Sequence, residues 1–186
     1  LTGAWELAWT ETPPAAAPAT RAAAMAAGLI FHPCTVPGNL ETDLMALGRL
    51  ADPLVGMNIT QLRPLERAHV WYVRRFTAAD CPGQRTRLVF EGVDCFADYY
   101  LNGERLGGSD NMLIEHTFDV TGRLRGENEL LIHIRPTVVE AAKYAYPPSL
   151  WTFPANYESL YIRKAPHMFG WDIMPRAVTF GLYKDV

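Results

Sequence analysis

The residues best suited to hold a ligand lie close together near the carboxyl end of the chain, within 168–176. Here Trp171 could cover the apolar C–H face of a sugar ring, and Asp172 could accept hydrogen bonds from the ring hydroxyls. The same pattern fits a plainer interpretation, in which Trp171 is a core residue and Asp172 caps a turn. The segment predicts a carbohydrate-binding site, with the structural alternative open at this stage.

Catalytic machinery is much harder to find in the sequence. The chain has 20 acidic residues, but most of them lie in predicted turns, where a carboxylate is usually solvated or caps the backbone. No G-x-S-x-G, P-loop or G-x-G-x-x-G motif is present, and the 5 histidines are scattered along the chain. We therefore expect this chain to hold no catalytic residues, no metal and no cofactor.

The composition excludes several classes of protein. With 186 residues and a formal net charge of −3, the chain fits a single domain over 1–186 and lacks the basic excess of nucleic-acid-binding proteins. No run of about 18 apolar residues is present, so we expect no membrane span. The 3 cysteines form no C-x-x-C pair, which predicts free, buried or semi-buried thiols and favours a reducing compartment, the cytoplasm.

Short segments with strand character dominate the chain. Leu130, Ile132 and Ile134 alternate with other residues and share one face of a predicted strand, while Asn102-Gly103 is typical of a type I′ hairpin turn. Predicted strands cover 5–9, 70–77, 86–91, 96–101, 104–106, 129–135, 161–163 and 177–183. Such strands, with turn residues between them and no repeated long helices, predict an all-β fold, an antiparallel β-sandwich.

Two segments depart from the strand pattern. In 15–27, 9 of the 13 residues are Ala, which favours helix but supplies no large apolar stripe, so we expect an inserted, loosely held helix or loop. Leu44 and Leu47 lie on one face of 41–47, and Gly48 can end a helix, which predicts one short helix across the sandwich.

A long connection rich in aromatic residues, 136–163, suggests a binding or docking edge. One alternative function follows from it: a stand-alone carbohydrate-binding module, in which the aromatic residues of 151–157 form an exposed platform. A second alternative is a purely structural domain that buttresses a barrel or a dimer interface.

Many short motifs follow one another along the chain in a specific order and spacing. They are Trp5-Glu6-Leu7, Val36-Pro37-Gly38, Asp52-Pro53, Gly56-Met57-Asn58, Trp71-Tyr72, Phe90-Glu91-Gly92-Val93-Asp94, Tyr100-Leu101-Asn102-Gly103, Phe118-Asp119-Val120-Thr121, Arg163-Lys164, Gly170-Trp171-Asp172 and Gly181-Leu182-Tyr183-Lys184-Asp185-Val186. In the order and spacing of these motifs, the chain resembles the N-terminal sugar-binding domain of family 2 glycoside hydrolases, which is a jelly-roll-like β-sandwich. The similarity is greatest to the β-mannosidase branch.

This resemblance implies a retaining exo-β-glycosidase whose immunoglobulin-like and barrel domains follow in the same polypeptide. The two catalytic glutamates of the family lie on that barrel, so the chain alone should hydrolyse nothing. Trp171 would wall the pocket for a terminal β-linked sugar, a mannoside foremost, and Asp172 would bind its hydroxyls. Asn58 is a weaker candidate for sugar binding, with loop stabilisation as its alternative role.

The chain departs from the family's pattern at one place within this motif. The mannosidase motif continues Trp-Asp-Trp-Gly-Pro, whereas this chain has Ile173-Met174-Pro175 after Asp172. Because Met lacks glycine's freedom at positive φ, we expect a reshaped loop backbone and one altered wall of the pocket.

Overall fold

The computed structural model describes residues 1–149 and 154–186. Its strands are β1 Gly3–Thr10, β2 His32–Val36, β3 His69–Ala78, β4 Arg87–Phe90, β5 Val93–Asp94, β6 Phe96–Leu101, β7 Glu104–Asp110, β8 His116–Asp119, β9 Gly126–Arg135 and β10 Gly181–Leu182. The α-helices are α1 Arg21–Ala26, α2 Leu40–Ala46, α3 Leu62–Leu65 and α4 Thr137–Ala141, and 3₁₀ helices cover Asn58–Gln61, Pro154–Ser159 and Pro166–Phe169. In this part of the chain, no helix has the length and apolar character needed to cross a membrane.

The predicted antiparallel sandwich is confirmed. Six strands form one sheet in the order β2-β1-β3-β9-β6-β7, and every pair of neighbours in it is antiparallel. Two small antiparallel sheets, β10-β5 and β4-β8, supply the second layer. The main core lies between these layers, because side chains such as Tyr72 and Ile132 of the large sheet pack with Phe90 and Leu182 of the small ones.

The local patterns in β6 and β9 behave as predicted. Leu130, Ile132 and Ile134 all enter the main core, whereas Leu131 lies in a second cluster on the other face of the sheet. Asn102 and Gly103, between β6 and β7, have φ angles of 53° and 83°. The strand alternation and the two-residue turn are therefore confirmed.

The Ala-rich segment is firmly docked, so the prediction of a loosely held insertion was wrong. Its helix α1 begins after Thr20, whose side chain accepts a hydrogen bond from the Ala23 backbone N–H. Ala24 is fully buried in a cluster with Trp71 and Leu131 on the outer face of the large sheet. The sequence pattern misled because one small alanine, Ala24, is enough to place α1 in the cluster of Trp71, so the helix needs no large apolar stripe of its own.

The two predicted closing strands were wrong in extent. At 161–163 only Arg163 forms a bridge, with Asn111, and of 177–183 only β10 is a strand. The backbone of this last segment instead caps the turn before α2, since Leu40 N–H donates to the Phe180 carbonyl at 3.1 Å. A Cβ at Gly181 would lie 2.6 Å from the Gly38 carbonyl oxygen, so the close approach depends on glycine.

Among the cysteines the structure changes one expectation. All three thiols are free, and Cys34 and Cys95 are buried as expected, but Cys81 is exposed. It lies in the polar connection between β3 and β4, where neighbouring Pro and Gly residues favour a surface turn.

Candidate functional site

Trp171 and Asp172 lie on a small hairpin that projects from the end of the chain's last 3₁₀ helix. The Trp171 N–H donates to the Met174 carbonyl at 3.0 Å, and the Met174 N–H donates back to the Trp171 carbonyl at 3.2 Å. Below this pair, the Ala177 N–H donates to the Met168 carbonyl at 2.9 Å and closes the base. We call residues 170–176 the site hairpin.

The tip of the site hairpin is exposed. Trp171 is 55% exposed and Ile173 is 87% exposed, and Asp172 between them is also exposed. Trp171 is therefore not a core residue, which removes the plainer interpretation of that side chain. An indole and a carboxylate adjacent in sequence and both open to solvent can meet the apolar face and the hydroxyl rim of one sugar.

The departure at Ile173 and Met174 is accommodated by ordinary backbone geometry. In the described ranges, Asn102 is the only non-glycine residue with a positive φ, so Met174 needs no left-handed conformation. The unusual angle lies earlier, at Gly170 with φ 99°. A reshaped loop was expected here, and the observed loop is a two-residue turn across Asp172 and Ile173.

Arg176 fixes the base of the site hairpin to two other segments. Its guanidinium donates to the Glu66 carboxylate at 2.9 and 2.7 Å and to the Glu158 carboxylate at 2.7 and 3.2 Å. Burial opposes the charge on this group, but the hydrogen bonds to Glu66 and Glu158 hold the pKa of Arg176 above its ordinary value. We call Arg176, Glu66 and Glu158 the clasp.

Asn58 begins the 3₁₀ helix Asn58–Gln61 and is engaged within its own loop. Its Nδ2 donates to the Asp52 carbonyl at 3.0 Å, and its Oδ1 accepts from Gln61 Nε2 at 3.3 Å. These bonds fit the loop-stabilising role that was its alternative. The segment continues through α3 to Glu66, so the clasp joins the loop of Asn58 to the site hairpin.

A buried ion pair lies beside β5. Lys164, fully buried, pairs with Asp94 in β5 and donates to the carbonyl of Thr179. Burial raises the pKa of Glu41, in α2 nearby, to about 8, although the charge of Lys164 opposes the shift. This placement gives Asp94 a structural role in the folded domain.

Tyrosines of the long aromatic connection pack on one another. The rings of Tyr146 and Tyr161 stack at 5.2 Å between centroids, with Tyr157 at 5.6 Å from Tyr146 and Tyr144 at 5.7 Å from Tyr161. Trp151 and Phe153, which belong to the platform of the carbohydrate-module alternative, lie outside the described residues.

One end of the large sheet carries most of the exposed apolar side chains. This is the end where β3 and β6 begin and where β1, β7 and β9 finish. The large exposed hydrophobic residues on its connections are Ile30, Leu54, Val55, Met57, Leu113, Ile114, Tyr144, Tyr161, Trp171, Ile173 and Met174. We call this the apolar end, and the opposite end, with the Asn102-Gly103 turn, the polar end.

The comparisons with known proteins agree with this fold and with the order of the motifs. The family described as glycosyl hydrolase 2 galactose-binding domain-like matches residues 10–184. The chain belongs to this family. Galactose-binding domain-like folds are mostly β, with antiparallel sheets and few helices, as this domain is.

Relatives of this galactose-binding domain-like chain include named β-mannosidases. It is 34% identical to β-mannosidase B of Emericella nidulans, over 82% of this chain and 19% of that protein, and 30% identical to β-mannosidase of Mus musculus, over 86% and 19%. The crystal structure of β-D-mannosidase from Dictyoglomus thermophilum is similar over 99% of this chain and 21% of that one, with 32% identity and a TM-score of 0.81. The chain thus spans about a fifth of the length of these relatives.

Sequence reasoning missed the clasp of this galactose-binding domain-like chain. Glu66 and Arg176 are 110 residues apart, and neither belongs to a motif that points to the other. The sequence contains one weak indication of the clasp. Arg176 follows Pro175 at the base of the predicted binding loop, and an arginine that is buried there needs a charged partner.

Proposed function

We propose that this domain supplies one wall of the pocket for the terminal sugar in a retaining exo-β-glycosidase, with a β-mannoside as the leading substrate. The observation that carries the proposal is the site hairpin, which presents Trp171 and Asp172 together to solvent. The catalytic carboxylates would come from a barrel domain of the same polypeptide, following an immunoglobulin-like domain. The names of the relatives and their greater length support this proposal.

In the proposed pocket the two side chains do different work. The indole of Trp171 covers the C–H face of the sugar and excludes water, while Asp172 accepts hydrogen bonds from hydroxyl groups and fixes the orientation of the ring. Neither group attacks or protonates the glycosidic bond, so the domain contributes binding energy and position. The exposed residues of the apolar end, around the site hairpin, would meet the neighbouring domain.

The first test is Asp172→Ala in the full-length polypeptide. We expect kcat/KM for an aryl β-mannoside to fall by about 30- to 1000-fold, roughly 2–4 kcal/mol, because a charged acceptor of sugar hydroxyls is lost. The matched control is Glu104→Ala, which removes an exposed carboxylate at the polar end and should leave kcat/KM unchanged. An unchanged kcat/KM for Asp172→Ala would refute the proposal.

A further inference from the structure

We propose that Arg176 is a positioning residue, which sets the orientation of Trp171 and Asp172 by clasping the site hairpin to Glu66 and Glu158. The inference rests on the proposed function and adds to it a residue that does not itself need to touch the sugar. It identifies the part of the fold that holds the hairpin still.

The site hairpin needs such an anchor because its tip is exposed to solvent. A two-residue turn closed by the pair Trp171–Met174, with an exposed tip, is marginal in water by itself. Gly170, with φ 99°, adds a backbone conformation that side-chain-bearing residues rarely adopt. The orientation of the hairpin must therefore be set at its base.

Arg176 lies at that base and packs against the residues at which the hairpin begins. Its guanidinium carbon is 5.4 Å from the centre of the Phe169 ring, which is fully buried. A Cβ placed on Gly170 would be 3.4 Å from the Arg176 Cβ, so the two ends of the hairpin pack against each other at this point. A shift of Arg176 would move the backbone that carries Trp171.

The electrostatics of the clasp make its geometry stiff. The side chains of Arg176 and Glu66 are only 14% and 5% exposed. Breaking a buried ion pair leaves an uncompensated charge, so the closed arrangement is strongly favoured over an open one. A guanidinium can donate in one plane to two carboxylates at once, which a lysine ammonium cannot reproduce.

Glu66 also offers an internal control. Arg63 donates to the same carboxylate at 3.1 and 3.3 Å, but its side chain is 58% exposed and it lies in α3, outside the site hairpin. Arg63 and Arg176 thus share one partner, and Arg176 alone of the two belongs to the site hairpin.

The test is a double-mutant cycle in the full-length polypeptide, with kcat/KM for an aryl β-mannoside as the measurement. We expect Arg176→Lys to lower kcat/KM by about 10-fold or more, because small displacements of binding groups are costly. In the Asp172→Ala background, the same substitution should lower kcat/KM by a smaller factor than in the parent, since only the orientation of Trp171 is then left to lose. Arg63→Gln should leave kcat/KM unchanged.

Two further measurements distinguish a loss of positioning from a failure to fold. Thermal unfolding of each variant shows whether the domain folds, and Glu158→Gln, whose carboxylate is 35% exposed, offers a milder break of the clasp with the same expected direction. Full additivity of Arg176→Lys and Asp172→Ala, or an unchanged kcat/KM for folded Arg176→Lys and Glu158→Gln, would overturn the positioning role. Loss of activity in Asp172→Ala alone would then leave the proposed function standing, whereas no loss there would refute the function itself.

Discussion

At the scale of single residues, the buried carboxyl of Glu41 makes the stability of the domain depend on pH. Its Oε2 has no hydrogen-bond partner within the described residues, and burial raises its pKa from 4.5 to about 8. The charge of Asp94 raises this pKa further, and that of Lys164 lowers it. The folded state thus keeps a proton that the unfolded state releases, and the free energy of unfolding should fall as the pH rises from about 4.5 to 8.

Glu41→Gln tests this linkage, because the amide resembles the neutral carboxyl and does not titrate. We expect the variant to be more stable than the parent by about 2 kcal/mol at pH 8, and the difference to shrink toward pH 5. Urea unfolding at a series of pH values measures this difference in the free energy of unfolding. Glu115→Gln, at an exposed position, should show no such dependence, and a difference that does not grow with pH would contradict the argument.

At the scale of elements, α1 shows how a weak sequence pattern becomes a tight contact. An apolar contact and an ion pair anchor the helix: Ala24 packs on the sheet, and Arg21 donates to the Glu6 carboxylate at 2.8 and 2.7 Å. The Arg21 backbone N–H also donates to the Glu129 side chain at 2.8 Å. Small residues allow the close approach, so the fit depends on size more than on hydrophobicity.

Enlarging the buried alanine should therefore be harmful. We expect Ala24→Leu to destabilise the domain by about 1–3 kcal/mol, because a well-packed contact has no room for three more carbon atoms. The neighbouring Ala23 is exposed on the same helix, and Ala23→Leu should change the free energy of unfolding by less than about 0.5 kcal/mol. Equal effects of the two substitutions in chemical unfolding would show that α1 is not docked as described.

At the scale of the whole molecule, the two ends of the sandwich differ in character. The apolar end carries the site hairpin and the exposed apolar connections, whereas the polar end carries the tight Asn102-Gly103 turn. An end with many exposed apolar side chains is typical of an interaction surface. This asymmetry supports a domain that forms one part of a larger pocket.

Binding by residues 1–186 alone should be correspondingly weak. A single wall cannot repay the loss of ligand freedom, so we expect no saturation by mannose or mannan oligosaccharides below about the millimolar range in calorimetric titration. Micromolar binding would favour the stand-alone module instead. Trp171→Ala distinguishes the structural alternative, because there it would lower stability without altering the sugar selectivity of the full-length polypeptide.

The sequence by itself determined the fold class, the alternation of β9 and the turn at Asn102-Gly103, and it singled out Trp171 and Asp172 as site candidates while leaving their exposure open. These features depend on residues adjacent or two apart in the chain, whose preferences act locally. Only the tertiary structure decided that α1 docks on Trp71, that β10 is short, and that Arg176 meets Glu66. Those contacts depend on shape and charge between segments distant in sequence, and a local pattern carries no information about which distant residue will be its neighbour.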